Sequence, residues 1–181
     1  MNNTIVKTKR LLVVCIVLVA ASVLSLLFFW LYQRRNQPFD PIPIGDPLEQ
    51  SDSFKILSME EQNGIMTVTT SYGAFCYPTE TSGEMKIQAG LDGELPTLRF
   101  TIMLDVGEIP LFTIQYGGEK GLPCGTYRYS ADDEEMAVMV IFADAPEQLD
   151  SEDRVAFEMA QELFNEIIHS MEEDPRFVGL G

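Results

Sequence analysis

The chain has 181 residues, and its 28 acidic side chains outnumber its 12 lysines and arginines, which gives a net charge of −16 at pH 7. A polyanion repels nucleic acid and anionic lipid head groups, so we expect neither as a partner. His169 is the one histidine, which excludes mechanisms that need two, among them most zinc sites, and the sequence predicts no cofactor.

An uncharged, apolar run of 22 residues extends from Leu11 to Tyr32. A helix of this length crosses the hydrocarbon core of a bilayer, so we expect a transmembrane helix over residues 11–33. Trp30 and Tyr32 lie where aromatic side chains anchor such a helix at the membrane interface. The small residues at positions 19–21 leave a cleaved signal peptide as an alternative. The run stays apolar for about ten residues beyond them, which favours an uncleaved signal anchor.

The basic residues around this run predict its orientation. Three of them and the α-amino group precede it, and two follow it. Because basic flanks are retained in the cytoplasm, residues 1–10 are expected to form a short cytoplasmic tail. We therefore expect a single-pass protein of the cell membrane that contacts lipid through its N-terminal helix, with its C-terminal part outside the cytoplasm.

A proline-rich segment follows the apolar run, with four prolines between residues 38 and 47. Such a segment sustains neither a helix nor a central strand, so residues 34–50 are expected to form a semi-extended spacer of about 3 Å per residue. Residues 51–181 are then the folded domain outside the membrane. From residue 36 onward the chain has seven basic and 28 acidic side chains, so this part is strongly acidic, at −21.

Short runs with a period of two begin near Ser53 and are separated by turn dipeptides, as in antiparallel strands joined by hairpins. Asn63-Gly64 and Asp92-Gly93 are pairs that suit tight hairpin turns. The predicted strands are Phe54–Gln62, Ile65–Tyr72, Glu84–Leu91, Thr97–Val106, Ile109–Tyr116, Thr126–Ser130 and Met136–Asp144.

After Pro146 the period becomes that of an amphipathic helix, capped by Asp150 or Ser151 and ended by Pro175. The fold class is therefore α+β, with an antiparallel meander sheet of about six to seven strands backed by one C-terminal helix. The predicted apolar stripe of that helix is Val155, Ala156, Met159, Ala160, Leu163, Phe164, Ile167, Ile168 and Met171.

Four polar side chains of this helix, Glu162, Glu166, His169 and Glu173, fall within a sector of roughly 60° at 3.6 residues per turn. Carboxylate and imidazole groups so arranged could contact a cation or a basic partner. The alternative is an ordinary solvated face of a surface helix.

Two cysteines, Cys76 and Cys124, lie outside the apolar run. In an oxidising compartment they could form a disulfide, which would contribute on the order of 4 kcal/mol by closing a loop of about 48 residues. Two buried free thiols are the alternative. The glycine-rich segment 117–121 lacks the pattern of a phosphate-binding loop and is read as a flexible connection that could serve as a binding loop.

Two classes of function remain. The favoured one is a non-catalytic interaction or ligand-binding domain displayed outside the cytoplasm, for example an accessory subunit of an envelope complex with a protein partner there. The other is an extracytoplasmic enzyme without a local motif, such as a cysteine-dependent hydrolase or transpeptidase that would use Cys124, His169 and Arg128.

Overall fold

The computed structural model describes Ser25 and residues 45–80, 84–129 and 135–180. The chain divides into two units, Met1–Asp40 and Pro41–Gly181, and all the elements below belong to the second. The predicted transmembrane helix, with Trp30 and Tyr32, lies outside the described residues. Within the described ranges, no helix has both the length and the apolar character that a membrane span requires.

The domain is built from antiparallel strands and one long C-terminal helix, which confirms the α+β class. In chain order the elements are β1 (Ile56–Gln62), β2 (Ile65–Thr70), β3 (Gly73–Pro78), β4 (Glu84–Asp92), β5 (Leu95–Leu104), β6 (Gly107–Tyr116), β7 (Leu122–Arg128), β8 (Glu135–Phe142), α1 (Ser151–Met171) and β9 (Phe177–Gly179). The strands form two sheets, with the orders β1-β2-β3 and β4-β5-β6-β8-β7-β9.

This architecture differs from the single meander of six to seven strands that we expected, because the described residues contain nine strands in two sheets. The sequence pattern missed β3, which begins at Gly73 and ends at Pro78, two residue types that usually mark turns. It also missed β9, which is only three residues long. The order β6-β8-β7 also departs from a meander. β6 pairs with β8 and not with β7, and β7 pairs with the other side of β8.

The core lies where the two sheets and the helix meet, since one continuous cluster of buried side chains draws on all three. Val68 comes from the small sheet, Phe100 and Phe112 from the large sheet, and Phe157 and Ile167 from α1. The rings of Phe100 and Phe112 stack with their centroids 4.5 Å apart. Each sheet therefore buries its apolar face only by packing against the other sheet and the helix.

Helix α1 begins where predicted, because the Asp150 carboxylate accepts hydrogen bonds from the backbone N–H groups of Glu152 and Asp153, each at 2.9 Å. The predicted apolar stripe is wrong at Val155 and Met159, which are 55% and 46% exposed. The predicted stripe also omitted Phe157, which is buried. The buried residues of the helix are Phe157, Ala160, Leu163, Ile167 and Met171.

The outer edge of β3 is covered by the C-terminal half of α1. The Ser170 hydroxyl accepts a hydrogen bond from the Cys76 backbone N–H at 2.8 Å and lies 3.1 Å from the carbonyl oxygen of the same residue. Ser170 thus takes the place of a neighbouring strand, so the small sheet ends against the helix instead of against solvent.

Residues 45–50, at the end of the predicted spacer, pack against the large sheet, and we call them the strap. The backbone oxygen of Asp46 accepts a hydrogen bond of 2.7 Å from the buried Arg99 guanidinium. Glu49 exchanges two backbone hydrogen bonds with Leu91 of β4, at 2.9 and 2.8 Å. Gly90 permits this approach, because a Cβ at that position would lie 2.5 Å from the Glu49 carbonyl oxygen. The strap is therefore part of the folded domain.

We expect Gly90→Ala to loosen the strap, because its methyl group overlaps the backbone oxygen of Glu49. Hydrogen exchange at the Glu49 and Leu91 amides should become about tenfold faster, which corresponds to about 1.4 kcal/mol less protection against local opening. The exposed Gln88 on the same strand supplies the control, since Gln88→Ala should leave both amides unchanged. Unchanged exchange in Gly90→Ala would contradict the assignment.

Candidate functional site

Cys76 lies in β3 on the sheet face opposite Phe75 and Tyr77, which enter the core. Its side chain is half-buried, and the Sγ atom lies 3.4 Å from the Thr67 hydroxyl on the neighbouring strand. The thiol therefore belongs to a cross-strand pair on the outer face of the small sheet.

Cys124 lies in β7, where the pairing with β8 shifts register, and its side chain is buried in the core. Its thiol donates a hydrogen bond to the Val138 carbonyl at 3.2 Å. Burial raises the pKa of this thiol to about 11, because an apolar surrounding disfavours the thiolate. Such a thiol is a poor nucleophile at neutral pH.

The two cysteines are both free in the structure, and each has its own partner. One thiol lies on an outer sheet face, whereas the other lies in the core. The disulfide stays a prediction.

The four polar residues predicted on the helix, Glu162, Glu166, His169 and Glu173, are all exposed. The His169 Nδ1 atom pairs with Glu172, at 3.2 Å from its carboxylate, which was not in the predicted set. Among the described residues, no three histidine, cysteine or acidic side chains are grouped closely enough to hold a metal ion. The geometry thus favours a solvated helix face, and a contact with a basic partner stays a prediction.

The three residues of the hypothetical cysteine enzyme do not form one site. Cys124 is buried against Val138, His169 is exposed beside Glu172, and Arg128 pairs with Glu135 at 3.2 Å on the neighbouring strand. A nucleophilic cysteine needs a base within hydrogen-bond reach, and the hydrogen bond of this thiol goes to a backbone carbonyl.

An open cleft of about 580 Å³ lies beside the glycine-rich segment 117–121. On its wall the buried Gln115 amide donates a hydrogen bond to the Asp92 carboxylate at 3.1 Å, which fixes both groups. Leu95 and Ile141 add apolar surface, and Lys120 adds a positive charge. The described residues that line the cleft include no cysteine, serine or histidine, and its polar side chains are Gln115, the carboxylates of Asp92 and Glu119, and Lys120.

The glycine-rich segment is held at its end by Gly121, which adopts a φ of +101°. A Cβ there would lie 2.3 Å from the Val140 carbonyl oxygen, so only glycine fits. Gly121 therefore lies close against the backbone of β8, at the end of the segment whose residues 117–120 line the cleft.

A cluster of three tyrosines, which the sequence analysis missed, joins the two sheets. Tyr72 and Tyr127 stack with centroids 5.3 Å apart, and Tyr116 meets both rings edge-on. The Arg176 guanidinium lies 5.3 Å from the centre of the Tyr127 ring and also bonds Asp174 at 2.7 Å. The space enclosed here holds no more than a water molecule, at about 10 Å³, so the cluster acts in packing.

Comparisons with protein families, with curated proteins and with solved structures found no match. The functional interpretation therefore depends on the residues and geometry of this chain alone.

We expect Cys124 to react with iodoacetamide far more slowly than Cys76. With a pKa of about 11, only about one Cys124 thiol in a thousand is a thiolate at pH 8. Its labelling rate should rise about tenfold for each pH unit up to that pKa. Mass spectrometry of the labelled peptides from the native, non-reduced chain measures both rates. Protection of both thiols until a reductant is added would instead reveal the disulfide.

Asp174→Asn should destabilise the domain by about 1 kcal/mol at pH 7, because it removes the charge from the pairing with Arg176. The Arg176 hydrogen bond lowers the pKa of Asp174, so this stability is present above the pKa of the unfolded state. It is lost as the pH falls through the lower pKa of the folded state. Urea titration should therefore show the difference from wild type shrinking below about pH 4.

The matched control is Asp52→Asn. Lys55 also lowers the pKa of Asp52, but the Asp52 side chain is fully exposed, so this variant should unfold at the wild-type urea concentration. An Asp174→Asn effect that did not change with pH would contradict the electrostatic explanation.

Proposed function

We propose that this protein is a single-pass membrane protein whose acidic domain, residues 51–181, is displayed outside the cytoplasm for non-catalytic binding. We further propose that it serves as an accessory subunit of an envelope complex. The apolar run at residues 11–33 and its basic flanks support the anchor and its orientation. The acidic composition of the domain favours partners that are basic or neutral.

The observation that carries the non-catalytic assignment is the separation of the reactive side chains. Cys124 is held as a protonated thiol in the core, and His169 lies in solvent beside Glu172. Two open clefts of the described residues present amides, carboxylates and lysine, which are groups that bind ligands and protein partners. The alternative enzyme would need a rearrangement that exposes Cys124 and places a base beside it.

A membrane-impermeant amine-reactive crosslinker, applied to intact cells, tests location and partnership together. The domain exposes Lys55, Lys86 and Lys120, which should react in intact cells, whereas Lys7 and Lys9 should react only after permeabilisation. Mass spectrometry should then identify one envelope protein crosslinked in a fixed ratio to the domain.

The outcomes separate the parts of the proposal. Reaction of the domain lysines only after permeabilisation would contradict the orientation. Reaction in intact cells without a crosslinked partner would contradict the accessory-subunit role and favour a small ligand or a substrate.

A further inference from the structure

In the described part of the chain, three of the four strands at the sheet edges carry features that discourage pairing with another chain. β1 has a register shift at Leu57 followed by the exposed acids Glu60 and Glu61. β3 is covered by Ser170 of the helix, and β9 is three residues long. Bulges, charges, coverage and short length are the usual means by which proteins protect their sheet edges.

β4 is the exception among these edges. It runs for nine residues in continuous register with β5 and contains neither a bulge nor a proline. A lysine on an edge strand normally discourages pairing, but Lys86 is bonded to Glu108 at 2.9 Å. The Lys86 ammonium is thereby held over the sheet and does not guard the edge.

The strap shows that the edge of β4 accepts an added strand. Glu49 forms both backbone hydrogen bonds of an antiparallel pair with Leu91, so the N–H and C=O groups of Leu91 point away from β5. Backbone direction alternates along a strand, and the register contains no irregularity. The backbone groups of Met85, Ile87 and Ala89 therefore point to the same side as those of Leu91.

Within the described part of the chain, the strap pairs with β4 at Leu91 alone. After Glu49 the chain turns away and leaves an open cleft of about 450 Å³ that is lined by Ala89 and by Gln50, Ser51, Asp52 and Lys55. Beside the cleft, the edge of β4 continues along the direction of the strap. Its outward backbone groups are in register with those of Leu91, which the strap already binds.

We propose that the edge of β4 from Met85 to Ala89 is a strand-addition site, where an extended segment of a partner protein pairs antiparallel with β4 as a continuation of the strap. Main-chain hydrogen bonds supply affinity in this mode of recognition, and alternate side chains supply specificity. The proposal deepens the binding function proposed above, since it assigns the contact surface of the partner.

The surroundings of the edge define the chemistry of the partner segment. Met85, Ile87 and Ala89 are half-buried and pack against the core, so the residues that pair with them should be apolar. The opposite face bears Glu84, Lys86 and Gln88, of which Lys86 is paired with Glu108, and the part of the chain from residue 36 onward has a charge of −21. An extended segment with alternate apolar and basic residues fits both faces. A second copy of this chain fits poorly, because two such polyanions repel each other.

The test uses the full-length chain in detergent micelles and a blocked seven-residue peptide of alternating valine and lysine. Binding should slow hydrogen exchange at the Met85, Ile87 and Ala89 amides at least tenfold, and the Phe100 amide in the core should not change. A peptide of the same sequence with every second amide N-methylated keeps the charge and the apolar surface but cannot complete the ladder of hydrogen bonds, so it should bind at least tenfold more weakly.

Ile87→Pro removes the edge N–H without removing a hydrogen bond between β4 and β5. The variant should therefore fold and should bind the peptide at least tenfold more weakly than the wild type does. Ile87→Val keeps the N–H and should bind as the wild type does. Equal binding of the two peptides, or absence of protection at millimolar peptide, would overturn the proposal. The proposal would also be overturned if the free chain formed dimers, detected by analytical ultracentrifugation, in which the edge amides of β4 are protected from hydrogen exchange.

These results are independent of the crosslinking on intact cells. If only the edge assignment is wrong, the peptide will not bind, and the crosslinking result for the location of the domain will be unchanged. Edge protection by the peptide, together with a domain that reacts only in permeabilised cells, would retain the site and reject the proposed display outside the cytoplasm.

Discussion

The burial of two sheets against one helix and against each other is the constraint on which the rest of this domain depends. The three-stranded sheet is too small to form a core, and α1 satisfies both its apolar face and, through Ser170, its outer edge. The three tyrosines then join this sheet to the large one beside the Asp174–Arg176 pair. With the buried face of the helix and the core used in packing, ligand and partner contacts are left to the loops, the exposed helix face and the remaining sheet edges.

The strap gives the domain a fixed entry point for the chain that leads to the predicted anchor. Arg99 and Leu91 bind Asp46 and Glu49, which lie near the start of the described domain. The strap also fixes the first position of an added strand on β4. Attachment and recognition are therefore features of the same sheet edge.

Local signals in the sequence predicted local structure well. Asn63-Gly64 makes a tight turn with positive φ at both residues, and Asp150 caps the helix. The pattern failed where long-range contacts decide. Gly73–Pro78 becomes a strand because Phe75 and Tyr77 enter the core. The strap docks because Asp46 binds the buried Arg99, which lies 53 residues further along the sequence. The cleft depends on Gln115 reaching Asp92, a pairing that periodicity cannot reveal.

The hydrogen bonds between Ser170 and Cys76 join residues that are 94 positions apart. If the domain is translocated in chain order behind the predicted anchor, the small sheet emerges long before the helix that covers its edge. Until then Phe75 and Tyr77 lack much of their apolar surroundings, and the edge of β3 can pair with other chains. Completion of the fold thus depends on α1 and β9, so truncation before Ser151 leaves these side chains and this edge open to aggregation.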